Sequence, residues 1–167
     1  MRKTKTQIMK RSSTIFLQAV IALIGIAALV IMIRFPLTEG RAANLDLFSI
    51  YFDFFILYGY LASIPFFVAL YQAFKLLRYI GKNKVFSLGS VKSLRTIKYC
   101  AIAVAVFIVV GEVLLIITQS GNDDMAGAIS MGIIMTFVSI VIATAAAVFE
   151  RTLQSAIDIK SENDLTV

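Results

Sequence analysis

A chain of 167 residues, 59% of them hydrophobic and 16% charged, has a mean hydropathy of +0.88. Soluble domains carry roughly 25% charged and roughly 45–50% apolar residues, so disorder, a nucleic-acid-binding globule and most cytosolic enzymes are excluded, and a lipid bilayer is the solvent that fits. The net charge of +6 then informs through its distribution along the chain, and direct nucleic-acid binding is not expected.

About 20 consecutive apolar residues cross the hydrocarbon core as a helix, because backbone groups in lipid must bond within their own segment. The first such span covers 15–33 and is interrupted by Gln18. It follows a basic arm, as a signal peptide would, but it exceeds the ~7–15 residues of a signal core, and Arg34, Phe35 and Pro36 follow in place of a small-residue cleavage site. A retained anchor is the expectation. Pro36, Thr38, Glu39 and Gly40 then read as a turn. The second span covers 48–74 and contains Gly59 and Pro65, the latter predicting a helix kink. A basic loop, 75–98, leads to the third span, 99–118, which holds Glu112; a tight acidic turn follows at 119–124.

The fourth span, 126–149, has no charge and carries a ridge of small residues: Ala128, Gly132, Thr136, Ser139, Ala143 and Ala147. Such ridges let helices approach closely in lipid, either within one chain or in a homo-oligomer. In the tail, 150–167, Leu153, Ala156, Ile157 and Lys160 fall on one helical stripe, predicting that the last helix runs on for two or three turns.

Lysine and arginine divide unequally among these segments. The N-terminal arm holds five, the 75–98 loop seven and the tail two, against two in the first of the other connections and none in the second. By the positive-inside rule both termini and the middle loop are cytoplasmic. The predicted fold is all-α: a single membrane domain of four transmembrane helices, N-in and C-in, with a cytoplasmic helical extension.

The chemistry-bearing residues are few. Histidine is absent and Cys100 is the one cysteine, so no disulfide, metal-ligand spacing or familiar catalytic set emerges, and neither enzyme activity nor a cofactor is expected. Glu112 lies about 9 Å from the end of its span at ~1.5 Å per residue, and Asp53 sits nearer the same membrane face, beside Tyr51 and Tyr58. An acid at such depth costs about 2.5–3.5 kcal/mol or more if left charged. Glu112 therefore either stays protonated or pairs with Arg34, the two joining Asp53 in a polar cluster.

Toward the cytoplasm, Lys82, Lys84, Phe86, Lys92, Arg95 and Lys98 form a surface for the anionic inner leaflet, at roughly 1 kcal/mol per basic residue, or for an acidic partner. Ser87 or Ser90 is placed to cap a short helix before Val91. Asp158, Glu162 and Asp164 make the tail acidic, so it either folds back on the basic loop or meets another protein.

The stretch from Ile64 to Leu77 (IPFFVALYQAFKLL), the segment NKVFS at 83–87, the segment VKSLRTIKYC at 91–100 and the terminal residues 156–167 resemble the YoaS-like family of small bacterial membrane proteins. The resemblance implies a four-helix protein of the bacterial inner membrane, often encoded beside a small helix-turn-helix regulator, and supplies no catalytic residues. Charge distribution and resemblance together lead to the expectation of a regulatory or sensory protein that docks a cytosolic partner. A small transporter or channel using Glu112 and Asp53, and a structural subunit of a larger complex, are the rivals.

Overall fold

The computed structural model describes residues 2–38, 53–119 and 125–165, and among these there are four helices and no strand. They are α1 (Arg2–Thr38), α2 (Phe54–Gly81), α3 (Leu88–Gln119) and α4 (Met125–Leu165). Each contains a stretch long and apolar enough to cross a membrane. These stretches, Ser13–Arg34, Phe54–Gly81, Leu88–Thr118 and Ala126–Asn163, take in the apolar runs read from the sequence, of which the start of the second, at 48–52, lies outside the described residues. Neighbours in sequence are neighbours in space: α1 packs on α2, α2 on α3, and α3 on α4.

The basic segment 75–98 is not a loop. No breaker interrupts the helix formers after Pro65, so α2 carries Lys75 and Arg78 through to Gly81. It ends in a Schellman motif: Asn83 takes a left-handed φ of 55°, its N–H donates to Ile80 O at 3.0 Å, and Lys84 N donates to Tyr79 O at 2.9 Å. Ser87 then caps α3, its Oγ accepting from Ser90 N at 3.3 Å. The helix it starts is α3 itself, so Lys92, Arg95 and Lys98 stand on the first turns of the third spanning helix. Gly89 lets the Tyr79 ring lie close against the start of α3, since a Cβ there would come within 2.8 Å of the ring and displace it.

Pro36 also departs from expectation. It lies within α1, which runs on to Thr38. A proline leaves the carbonyl four residues earlier without its helical donor, here Met32 O. Tyr60 of α2 fills the vacancy, its hydroxyl donating to Met32 O at 3.2 Å. Pro65 likewise sits inside a continuous α2.

The α3–α4 seam is the best-packed part of the molecule. Val91, Leu94, Ala101 and Ala105 of α3 are buried, as are Ser139, Ala143 and Ala146 of α4. Gly132, Thr136, Ser139, Ala143, Ala146 and Glu150 recur at alternating four- and three-residue steps, the spacing that keeps one seam of a helix on its partner. The expected ridge is thus present in part: Ala146 takes the buried place assigned to Ala147, and Ala128 is exposed. Elsewhere large apolar side chains such as Phe16, Leu23, Ile117 and Phe137 face outward. That inversion suits a chain solvated by acyl tails.

Candidate functional site

The site begins with two cations one helical turn apart. Arg95 and Lys98 share a face of α3, and both reach the carboxylate of Glu150 on α4, Arg95 Nε to Oε1 at 2.6 Å and Lys98 Nζ to Oε2 at 2.7 Å. Glu150 is 7% exposed, and each of its oxygens carries a charge-assisted bond. The Arg95 side chain is 58% exposed and that of Lys98 22%. Lys98 Nζ also lies 4.8 Å from the Tyr99 ring centroid, within the range of a cation–π attraction. Two cations against one anion leave a net positive charge where the apolar spans end.

Around this clamp the helices continue past the apolar spans without losing order. Ser90, Val91, Ser93 and Leu94 are among the most deeply buried residues, although all four precede the apolar run read from the sequence at 99–118. Lys82 and Lys84 stand exposed on the turn between α2 and α3, with Phe86 65% exposed beside them and Lys92 exposed on α3. The basic end is therefore a helical platform with a basic, aromatic tip.

The sequence left the acidic tail two courses, folding back on the basic segment or meeting another protein. Because α4 is one unbroken helix to Leu165, the tail cannot fold back on the basic segment. Asp158 Oδ1 accepts from Gln154 Nε2 at 2.9 Å on its own helix, Glu162 is exposed, and the side chain of Asp164 lies outside the described residues. The acid that meets the cations is Glu150, which sequence reading did not single out. Its signal was available: Glu150 directly follows the fourth span as Lys98 directly precedes the third, so antiparallel helices bring them to one level.

At the opposite end the three candidate polar residues occupy different settings. Asp53 caps α2, its Oδ1 accepting from Phe55 N at 2.9 Å. Glu112 lies on α3 with its carboxyl against Gly132 of α4, and its Oε1 is buried without a hydrogen-bond partner. Arg34 is exposed near the end of α1. Tyr58, next to Asp53 in the sequence reading, instead crosses to α3 and donates to Phe107 O at 2.6 Å. No group of three or more metal-ligating side chains occurs among the described residues.

A family model described as "Protein of unknown function (DUF2975)" matches residues 37–167. The chain belongs to this family. It is also 46% identical over 161 residues to "Uncharacterized membrane protein YoaS" of Bacillus subtilis (strain 168), a match covering 95% of this chain and the whole of that protein. The similarity thus includes α1, most of which precedes the family match, and both spanning hairpins. No solved structure matches the chain. With four spanning helices and this kinship, it is a multi-pass membrane protein.

Proposed function

We propose that this protein is a regulatory or sensory component of the bacterial cell membrane, with its basic end in the cytoplasm, where it docks an acidic cytosolic partner. The observation that carries the reading is the packed helical platform beyond the spans, held by Glu150 and tipped by Lys82, Lys84, Phe86 and Lys92. A basic segment that needed only to rest on anionic lipid would have no use for a buried core of its own. Val91 and Leu94, 4% and 6% exposed, give it one. An exposed aromatic in a basic segment, as Phe86 is, is also the kind of anchor on which binding energy concentrates. The α4 extension, about 22 Å of helix after Glu150 at ~1.5 Å per residue, adds a second wall. The family resemblance makes a small helix-turn-helix regulator the partner of choice.

The test is photo-crosslinking in cells from a reactive amino acid placed at Phe86, followed by identification of the attached species. A cytosolic protein whose attachment is lost when Lys82, Lys84 and Lys92 are all replaced by glutamate supports docking. Attachment to lipid alone, or a protein adduct unchanged by the charge reversal, rejects it.

A further inference from the structure

On one side of the molecule α2, α3 and α4 share a groove whose lining includes Phe66, Val104 and Ile142. Nine residues make about two and a half turns at ~3.6 residues per turn, which carries a side chain to the opposite side of its helix. Lys75 is nine residues from Phe66, Arg95 nine from Val104 and Arg151 nine from Ile142. Each of the three helices therefore turns one cation to the face behind the groove.

The three cations also stand near one level. Lys75 is one turn before Tyr79, whose ring lies against Gly89 at the start of α3, and Arg151 follows Glu150, to which Arg95 is bonded. Arg95 gives its Nε to Glu150 and still has 58% of its side chain exposed; Arg151 is exposed and Lys75 half-buried. Asp158 and Glu162 continue the Arg151 stripe, but at ~1.5 Å per residue they stand about 10 and 16 Å further from the spans.

Toward the spans the same face turns apolar. Ile102 and Val106, seven and eleven residues on from Arg95, fall on its stripe, and Ile140 and Ile133, eleven and eighteen residues back from Arg151, fall on that of Arg151. All four are exposed. Tyr99, 61% exposed where cations give way to hydrocarbon, is a residue type that sits at headgroup level. A soluble anion would use the cations and leave the apolar furrow below them without a role; a lipid with a negative headgroup uses both.

We propose that this face is a discrete site for one anionic phospholipid. Its phosphate meets Arg95 and Arg151, whose guanidinium groups match phosphate geometry, with Lys75 at the flank and the acyl chains along α3 and α4. The site lies apart from the turn at 82–86, draws on two cations, Lys75 and Arg151, outside the docking surface, and does not rest on partner docking.

Native mass spectrometry of the full chain in a neutral detergent, titrated with phosphatidylglycerol or phosphatidylcholine, tests it. Wild type should bind one phosphatidylglycerol in preference to phosphatidylcholine. Lys75→Gln combined with Arg151→Gln should weaken that binding about 25-fold, at about fivefold per cation. Lys82→Gln combined with Lys84→Gln removes as much charge from the turn and should leave binding unchanged. Equal losses in the two double variants, or equal binding of the two lipids, overturn the proposal. Displacement of the lipid by inorganic phosphate also overturns it, since the face would then serve a soluble anion. If the first double variant does not fold, Arg151→Gln alone, at an exposed position outside the clamp, should still show the loss of about fivefold, and its absence refutes the site.

Discussion

Tyr60 shows how much a single hydroxyl can do in a membrane. By donating to the Met32 carbonyl it replaces the bond that Pro36 cannot make, and so lets α1 run through a proline to Thr38. An unsatisfied carbonyl in this setting costs about 1–3 kcal/mol. Tyr60→Phe should therefore lower stability by that amount in detergent unfolding, whereas Tyr60→Phe combined with Pro36→Ala should recover most of it. Equal losses in both variants would show that the hydroxyl does not serve the proline. Sequence alone gave the wrong reading for Pro36 and Thr38, while Glu39 and Gly40 lie outside the described residues. Pro36 beside Thr38, Glu39 and Gly40 has the composition of a turn, and the donor that cancels its effect comes from a residue on another helix.

At the scale of elements, the α3–α4 hairpin is tied at one end by Glu150 with Arg95 and Lys98. Breaking a buried ion pair costs about 3–5 kcal/mol, but an exposed one only about 0–1. Glu150→Ala falls between these limits, at about 1–3 kcal/mol, because it strands Lys98 in a largely covered place while Arg95 finds water. Lys98→Ala should accordingly cost more than Arg95→Ala, as unfolding titrations of the three variants would reveal; the reverse order would mean that exposure does not govern the clamp. The spans themselves were legible because four long apolar runs admit one physical solution in lipid. The helical state of 75–81 and 88–98 was less so, since charged residues suit a helix and a solvated loop equally. What distinguishes them is the Asn83 turn, too local to stand out in a hydropathy pattern, and the Ser87 cap, which the sequence offered only as the start of a short helix. Glu150 was missed for a related reason: choosing its partners requires the register of two antiparallel helices.

The whole molecule has two unlike ends joined by apolar helices. From Lys98 to Thr118, α3 rises about 30 Å at ~1.5 Å per residue, the thickness of the hydrocarbon core. With the spans read from the sequence at 99–118 and 126–149, the Glu150 clamp falls at one boundary, the platform beyond it, and Glu112 inside near the other. Docking at the platform requires that end to face the cytosol, as the lysine and arginine bias also demands. The most direct measurement is cysteine accessibility in a Cys100→Ser background, with a membrane-impermeant maleimide applied to intact and to permeabilised cells. Lys84→Cys should be labelled only after permeabilisation and Asn122→Cys in intact cells. Labelling in the opposite order, or of both positions from one side, would contradict the account.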